Sequence, residues 1–176
     1  MLVPFAVAPR DALVRTLRES DNRALEWSGG PDLRSFYDEQ WQRHQAGEVC
    51  VLVVEWNRFP VGQGAIHWRG KPTHPHIPDI QSLRVFDAFR GLGLGSQLLR
   101  ALENTVRERG FKQVSLAVAL DNPRAHALYE RIGYAPVGEP YHDEWIYRDA
   151  RGEECRVCER VLDLVKNLEL DTDEHV

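Results

Sequence analysis

The chain has 176 residues, 43% of them apolar and 28% charged, and a formal net charge of −5. This length and apolar content predict one globular domain with its own core and exclude wholesale disorder. The negative charge argues against a general nucleic-acid binder, and no segment is typical of a membrane span or a signal peptide. Together with an odd number of cysteines, three, these features predict a cytoplasmic protein without nucleic-acid or membrane partners.

The first half of the chain predicts helices followed by valine-rich strands. The segment EVCVLVVEW has the continuous apolar run of a buried strand, and apolar and polar residues alternate in the strand after it. The elements predicted here, in chain order, are a strand Leu2–Ala8, a helix Asp11–Ser20, a loop through Pro31, a helix Leu33–Gln45, a strand Glu48–Trp56, a turn at Phe59-Pro60 and a strand Val61–Trp68.

The second half begins with a proline-broken loop, KPTHPHIPD, and again mixes strands with helices. Strict alternation in its first strand would place Gln81, Leu83 and Val85 on one face and the residues between them on the other. We assign residues 1–168 to one domain and residues 169–176 to an acidic C-terminal tail. The elements predicted here are a strand Ile80–Phe86, a helix from Leu94 to Gly110, a strand Lys112–Ala119, a helix Asn122–Gly133 and two or three strands that end near LDLVKNL.

A glycine-rich stretch, FRGLGLGSQLLRALENTVRERG, contains the start of the most clearly amphipathic helix. Its apolar residues recur at Leu98, Leu99, Leu102 and Val106, which is typical of a helix with one buried face. The first N–H groups of a helix lack intrahelical partners and carry partial positive charge. Glycines that let a ligand approach these groups therefore predict an anion site. A tight turn packed on the sheet is the alternative interpretation.

The spacing of the glycines matches neither of two familiar nucleotide loops. The Rossmann pattern G-x-G-x-x-G is absent, and no lysine follows the last glycine as a P-loop requires. The stretch RGLGLG from Arg90 to Gly95 instead has the form R-x-x-G-x-G. Downstream, NPRAHALYERIGY has the form N-x-x-A-x-x-L-Y-E-x-x-G-Y, with Asn122 and Pro123 suited to a helix start. These two motifs, in this order, resemble the GNAT superfamily of acetyl-coenzyme A-dependent N-acetyltransferases, and the resemblance covers Ile80 to Val137.

The resemblance implies an α/β (α+β) fold. Its central sheet would be mixed and mostly antiparallel, with helices on its faces and with central strands that splay apart. The resemblance also implies acetyl-CoA as cosubstrate and no metal. The strand around Leu83 would run beside the pantetheine arm, and the glycine loop would hold the pyrophosphate. The residues that it assigns to cofactor binding are Leu83, Val85, Arg90, Gly91, Leu92, Gly93, Gly95, Ser96 and Asn122.

The activity implied by the resemblance is transfer of an acetyl group from acetyl-CoA to a primary amine of a small molecule or peptide. The amine would attack directly, through a tetrahedral intermediate. Tyr129 is the candidate catalytic proton donor, because a hydroxyl close to the sulfur can hydrogen-bond the emerging thiolate. Asp79, just before Ile80, is the candidate general base, and a simple turn residue is the alternative. Members of the family often dimerise, so a homodimer is also expected.

The acceptor side is poorly covered by the resemblance. Asp143 and Glu144, with tryptophans outside the motifs, would suit a cationic amine, or these residues cover the core or face solvent. Histidines in the HPH loop segment, at His74 and His76, are candidates for a base or metal ligand, or they are solvated. The tryptophans in question are Trp27, Trp41, Trp68 and Trp145.

Other interpretations stay open at this stage. Cys155 and Cys158 form a lone CxxC that is expected to be a pair of packing or surface thiols, since strand positions three apart face opposite sides. Arg124 and Arg131 would meet the cofactor phosphates or be exposed. A non-catalytic acyl-CoA-binding module with the same fold is the second functional class. A nucleotide-binding protein unrelated to acyl transfer is the third, and it is disfavoured because both nucleotide motifs fail.

Overall fold

The computed structural model describes residues 11–29, 33–149 and 151–168. In that part of the chain a seven-stranded sheet has the order β1-β2-β3-β4-β5-β7-β6, and every neighbouring pair is antiparallel except β4 and β5. The elements are β1 Leu13–Thr16, α1 Asp21–Gly29, α2 Arg34–Gln45, β2 Val49–Trp56, β3 Phe59–His67, β4 Asp79–Val85, a 3-10 turn Asp87–Phe89, α3 Leu94–Glu108, β5 Gln113–Ala119, α4 Pro123–Arg131, β6 Ala135–Arg148 and β7 Glu154–Asn167. The predicted mixed, mostly antiparallel sheet flanked by helices is confirmed.

Helix α3 covers the centre of one face of the sheet. Its predicted stripe, Leu98, Leu99, Leu102 and Val106, is buried against strand residues such as Ile66. Burial of each such side chain contributes about 1.5–3 kcal/mol. The stripe therefore fixes the helix, and with it the glycine loop at its N-terminus, against the middle strands.

Helices α1 and α2 cover the opposite face over β2 and β3. Leu25 of α1 and Tyr37 of α2 are buried there with Val51, Val53 and Ala65. The two faces of the sheet thus have separate cores, and the central strands β3 and β4 lie between them.

Two predictions for the N-terminal region are wrong. Residues 11–20 were expected to form a helix, but they contain strand β1, which pairs with β2 from Leu13 to Thr16. Arg15 of that strand makes short ion pairs of 2.7 Å with both Asp21 and Glu55, so pairing at the sheet edge outweighs the helical composition. The segment expected to be a loop through Pro31 contains helix α1 instead, which buries Leu25 against the sheet.

The turn predicted at Phe59-Pro60 is also wrong, because both residues belong to β3. Asn57 and Arg58 form the turn with positive φ angles of 50° and 66°, as a two-residue hairpin of type I′ requires. Two or three strands were expected after α4, and the structure has two there, β6 and β7. The predicted strand Leu2–Ala8 and the tail 169–176 lie outside the described residues.

Candidate active site

The parallel pair at the centre of the sheet separates almost at once. Strands β4 and β5 pair only at Asp79 with Ser115 and at Ile80 with Leu116. Beyond these two positions both strands continue, to Val85 and to Ala119, without pairing to each other. The predicted splay of the central strands is therefore present, and main-chain groups of β4 that face β5 have no strand partner beyond Ile80.

A bulge in β4 lies where the splay begins. Ser82 has a φ of 55°, and the pairing with β3 jumps from Gln81 opposite Ala65 to Arg84 opposite Gln63. A left-handed serine costs about 1–3 kcal/mol and is typical of functional sites. The bulge also puts Gln81 and Arg84 on the same face, since both oppose residues of one face of β3, so the predicted strict alternation of this strand is wrong.

A cavity of about 270 Å³, here called the slot, opens between β4 and β5 where they diverge. Tyr129 of α4 lines it from one face of the sheet, and Lys71 of the β3–β4 loop lines it beside Asp79. The remaining lining residues are Ile80, Gln81, Ser82, Leu83, Leu116 and Ala117. The slot therefore brings together three of the predicted site residues, Tyr129, Asp79 and Leu83.

A second and larger depression, here called the outer cavity, has a volume of about 1070 Å³. Its walls are the N-terminal half of α2, from Leu33 to Glu39, and the outer parts of β6 and β7, from Trp145 to Glu159. Gln81, Ser82 and Leu83 border both this cavity and the slot. The bulge of β4 is thus the place where the two cavities meet.

The glycine loop has the backbone that its sequence predicts. Gly91 and Gly93 have φ angles of 79° and 77°, in the left-handed region that favours glycine. Gly93 is the N-cap of α3 and no side chain caps the helix. The amide of Gln97 donates to the Gly93 carbonyl at 3.0 Å, so the amides of the first turn precede the first intrahelical hydrogen bond.

The other loop residues lie around this helix start. Gly95 and Ser96 are in the first turn, and a Cβ on Gly95 would lie 3.7 Å from a methyl group of Val85, at the end of β4. Leu92 is exposed. Arg90 is exposed and engaged locally, because its guanidinium contacts Asp87 at 2.8 Å and donates from Nε to the Val85 carbonyl at 3.3 Å. The helix start therefore offers open amides with one cation beside them.

Helix α4 begins as predicted and presents Tyr129 to the slot. The Asn122 side chain accepts a hydrogen bond from the Ala125 amide at 3.1 Å, and Pro123 is the first helical residue. The ring of Tyr129 packs edge-on against Tyr134, with centroids 5.7 Å apart. Burial raises the pKa of Tyr129 above 10.0, and its hydroxyl has no hydrogen-bond partner among the described residues. It is therefore a neutral O–H group available at the slot.

Asp79 is almost completely buried, at 1% exposure, yet it is well hydrogen-bonded. It accepts from Ser115 Oγ at 2.8 Å and from Gln81 Nε2 at 2.9 Å, and Lys71 Nζ lies 3.8 Å away. Burial raises the pKa of this carboxyl above 3.8, and the charge of Lys71 opposes that shift. Its position at the slot and its raised pKa both suit a proton acceptor.

Lys71 belongs to a second cluster that the sequence did not indicate. It forms a short hydrogen bond to buried Asp163 and another of 3.0 Å to the Tyr141 hydroxyl, which also donates to Asp163 at 3.0 Å. His74 Nε2 lies 3.9 Å from Asp163 and has no hydrogen-bond partner in the described part of the chain. The β3–β4 loop thus places one lysine between two buried carboxylates, Asp79 and Asp163.

Several predicted acceptor-side residues are elsewhere. Among the described side chains, Trp145 lines the outer cavity, whereas Asp143 and Glu144 do not. Trp41 packs against the core under α2, and Trp68 stacks on Phe111. The side chain of Trp27 is not among those that the structure describes.

The described residues form neither a metal-binding cluster nor a membrane-spanning helix. None of them forms a group of three or more His, Cys, Asp or Glu side chains that could hold a metal ion. Cys155 and Cys158 are free thiols on β7, and Cys158 contacts His142 Nδ1 at 3.6 Å. No helix in this part of the chain has the length and hydropathy needed to cross a bilayer.

Replacing Lys71 by Met should lower the free energy of unfolding by ~3–5 kcal/mol at pH 7, because two buried carboxylates lose their cation. Burial lowers the pKa of Lys71, but Asp79, Asp163 and Tyr141 outweigh it and raise the pKa above 10.5. The stabilisation is therefore complete below pH ~10.5 and is lost as pH rises through the raised pKa. The defect should shrink as pH falls through the raised pKa of Asp79, above 3.8, because a protonated carboxyl no longer needs a cation beside it. Urea denaturation across this range measures it.

The matched control is Arg43→Met, which removes the exposed pair of Arg43 with Glu48. It should cost less than ~1 kcal/mol at every pH. Equal losses in the two variants would contradict the assignment of Lys71 to a buried charge cluster.

Comparison with known proteins agrees with this geometry. Residues 13–134 match the model of the acetyltransferase (GNAT) family. Over 120 residues the chain is 37% identical to a mycothiol acetyltransferase of Corynebacterium glutamicum strain R, covering 66% of this chain and 39% of that protein. Over 65 residues it is 38% identical to the uncharacterized N-acetyltransferase YdgE of Bacillus subtilis, covering 36% of this chain and 41% of that protein. The chain thus spans about two fifths of the length of these relatives.

Solved structures share the fold at low identity. An N-acetyltransferase from Staphylococcus aureus Mu50 superposes with a TM-score of 0.72 at 15% identity, over 91% of this chain and all of that one. A putative acetyltransferase, yncA, from Salmonella typhimurium, solved with its cofactor acetyl-CoA, gives 0.68 at 16% identity over 93% of this chain and 97% of that one. The matched residues, together with the splayed strands and the open start of α3, show that the chain belongs to the acetyltransferase (GNAT) family.

Proposed function

We propose that this protein transfers the acetyl group of acetyl-CoA to a primary amine of a small molecule or peptide, by direct attack through a tetrahedral intermediate. The observation that carries the proposal is the slot, where a free tyrosine hydroxyl and a buried carboxylate border the same opening between β4 and β5. Membership of the family and the acetyl-CoA in the Salmonella structure support it.

The residues present fit acetyl-CoA at two separated points. The first turn of α3 has open amides, no capping side chain and left-handed glycines before it, which suits a diphosphate. The unpaired main-chain groups of β4 beyond Ile80 suit the amides of the pantetheine arm, and one of their N–H groups could polarise the thioester carbonyl. When bound, acetyl-CoA supplies the activated acyl group, and these contacts orient it.

Tyr129 is the proposed donor to the departing sulfur. A thiol has a pKa near 8.5 and tyrosine one near 10, and burial raises the pKa of Tyr129 further. Complete proton transfer to a thiolate would therefore cost at least ~2 kcal/mol, whereas a hydrogen bond to the developing charge is favourable at once. Tyr129 thus acts by stabilising the charge on the departing sulfur, and the thiolate takes its proton from solvent.

Asp79 is the proposed acceptor of the proton that the amine loses. Its raised pKa brings a carboxylate closer to the working pH, which improves a general base. Gln81 donates to Asp79 and borders both cavities, so a water held by Gln81 would connect the amine to the carboxylate. Lys71 keeps Asp79 ionised when no proton is being transferred.

A non-catalytic acyl-CoA-binding module is the alternative. A binding module would not need an unpartnered hydroxyl at the slot or a buried carboxylate with a raised pKa. These two groups therefore favour an enzyme. The assignment of residues 1–168 to one domain, a cytoplasmic location and a homodimer remain predictions.

Tyr129→Phe should lower kcat by ~10²–10⁴-fold and leave the Kd for coenzyme A nearly unchanged, because only a charge-stabilising hydroxyl is lost. Thiol release from acetyl-CoA with a panel of primary amines measures kcat, and calorimetry measures Kd. Tyr134→Phe is the control, since the Tyr134 hydroxyl bonds Glu103 inside the core and does not reach the slot. Wild-type rates in Tyr129→Phe would remove this residue from the mechanism, and no turnover by wild type with any amine would favour the binding module.

Asp79→Asn should abolish the acid limb of the kcat profile. In the wild type this limb lies above pH 3.8, and activity falls as pH decreases through the raised pKa of Asp79. Asp163→Asn is the control, because Asp163 belongs to the same charge cluster and does not line the slot; its acid limb should persist. An unchanged limb in Asp79→Asn would show that another group accepts the proton.

Gly93→Asp should abolish coenzyme A binding in a folded protein by repelling the diphosphate. Asp and Asn are both among the residues that adopt the left-handed backbone of this position. Gly93→Asn is therefore a matched control that adds the same bulk without charge, and it should retain measurably more affinity. Calorimetry on both variants separates charge from size, and wild-type affinity in Gly93→Asp would argue strongly against the loop as the diphosphate site.

A further inference from the structure

The outer cavity has a wall that projects beyond the rest of the sheet. Strand β5 pairs with β7 only from Val161 to Asn167, whereas β6 and β7 continue as a hairpin through Arg148 and Glu154. That extension faces helix α2 across the bulge of β4, where the slot opens. A molecule in the outer cavity would therefore have one end at the reaction centre and the other between the hairpin and α2.

The inner end of this cavity holds an unsatisfied amide. Gln63 is only 4% exposed, and its side chain has no hydrogen-bond partner among the described residues. It lines the outer cavity and lies directly across from Arg84, next to the bulge. A buried amide without partners is costly, at about 1–3 kcal/mol, so this position suits a ligand that supplies an N–H donor.

The outer walls of this cavity carry negative charge. Two arginines also line it: Arg84 lies at the bulge, opposite Gln63, and Arg148 lies in the hairpin. Glu39 of α2 and Glu159 of β7 line the remaining walls, and neither forms an ion pair with another described residue. Arg148 is compensated by Glu154 at 3.7 Å.

Exposed aromatic side chains accompany the two glutamates. Phe36 is 38% exposed and Trp145 43% exposed, and both line the outer cavity. An aromatic face near an unpaired carboxylate is a favourable site for an organic cation. The unsatisfied carboxamide oxygen at the inner end therefore suits an amine that donates an N–H group, and the outer walls suit a positive charge.

We propose that the acceptor is a small diamine or polyamine, whose reactive amine hydrogen-bonds Gln63 in its neutral form while a second, protonated amine lies between Glu39 and Glu159. The inference rests on the proposed function, because it specifies the acceptor of that same site. The amine nitrogen forms a C–N bond to the acetyl carbonyl carbon, the C–S bond breaks, and the amine proton passes to Asp79. Coenzyme A leaves as a thiolate that is hydrogen-bonded by Tyr129 and then takes a proton from solvent.

A matched series of acceptors tests the outer walls. Butylamine, 1,4-diaminobutane and 4-aminobutanoate carry a primary amine on the same four-carbon chain with a neutral, a positive or a negative far end. The kcat/KM values are compared per neutral amine, because the far charge shifts the pKa of the reactive group. Wild-type kcat/KM should be highest for the diamine, about tenfold above butylamine, and lowest for the amino acid, as two partly exposed carboxylates allow. Equal values for the diamine and butylamine, or preference for the amino acid, would overturn the inference and leave the proposed function intact.

Glu39→Gln/Glu159→Gln should bring the ratio of diamine to butylamine kcat/KM close to one, through a higher KM for the diamine. The control Glu19→Gln/Glu108→Gln removes two exposed charges outside the cavity and should keep the preference. Gln63→Met should lower kcat/KM for the diamine and butylamine by the same factor, because both present the same amine to Gln63. The ratio of diamine to butylamine kcat/KM should therefore stay the same in Gln63→Met and fall in the glutamate variant. The opposite result in either variant would contradict the placement of the two amines.

Calorimetry with 1,4-diaminobutane and with butylamine, on the protein with coenzyme A, tests the inference without turnover. The inference is supported if the diamine binds more tightly than butylamine and if its binding weakens in Glu39→Gln/Glu159→Gln. This holds even if no amine is acetylated, because that result would contradict only the proposed function. Equal affinity for both amines would overturn the inference.

Discussion

The site depends on the early end of pairing between β4 and β5. A central strand in a sheet normally satisfies its main-chain groups on both sides, but β4 pairs with β5 at only two positions and then diverges at a left-handed serine, Ser82. The unpaired groups on the β5 side need another partner, and the slot gives access to them. The strain of Ser82 is held in place because β3 continues to pair with β4 on both sides of the bulge.

Two electrostatic features lie at opposite ends of β4, which begins at Asp79 and ends at Val85 next to Gly95. The first turn of α3 presents unpaired N–H groups and the positive end of a helix dipole, with no side chain covering them. On the other side, Lys71 lies between Asp79 and Asp163, so that a carboxylate can remain buried and charged beside the slot. A diphosphate and a transferable proton would thus each meet a prepared environment, and the rigid packing of α3 on the sheet fixes the distance between them.

The features that depend on residues close together in the chain could be predicted from the sequence. Glycines before an amphipathic helix, and Asn-Pro before Tyr129, determine local backbone and helix ends, so both motifs lie on the expected elements. Pairing between distant segments could not be predicted. Strand β1 owes its conformation to β2 and to the ion pairs of Arg15, which override its helical composition. Lys71, Gln63, Glu39 and Glu159 come from separate elements that meet only in the fold, and no spacing indicates them.

Hydrogen exchange of backbone amides, with and without acetyl-CoA, tests the central claim most directly. The account predicts that acetyl-CoA slows exchange in two segments, residues 82–85 of β4 and the first turn of α3 after Gly93, because their amides then gain partners. Binding that protects neither segment, or that protects only the outer cavity at α2 and the β6–β7 hairpin, would contradict it.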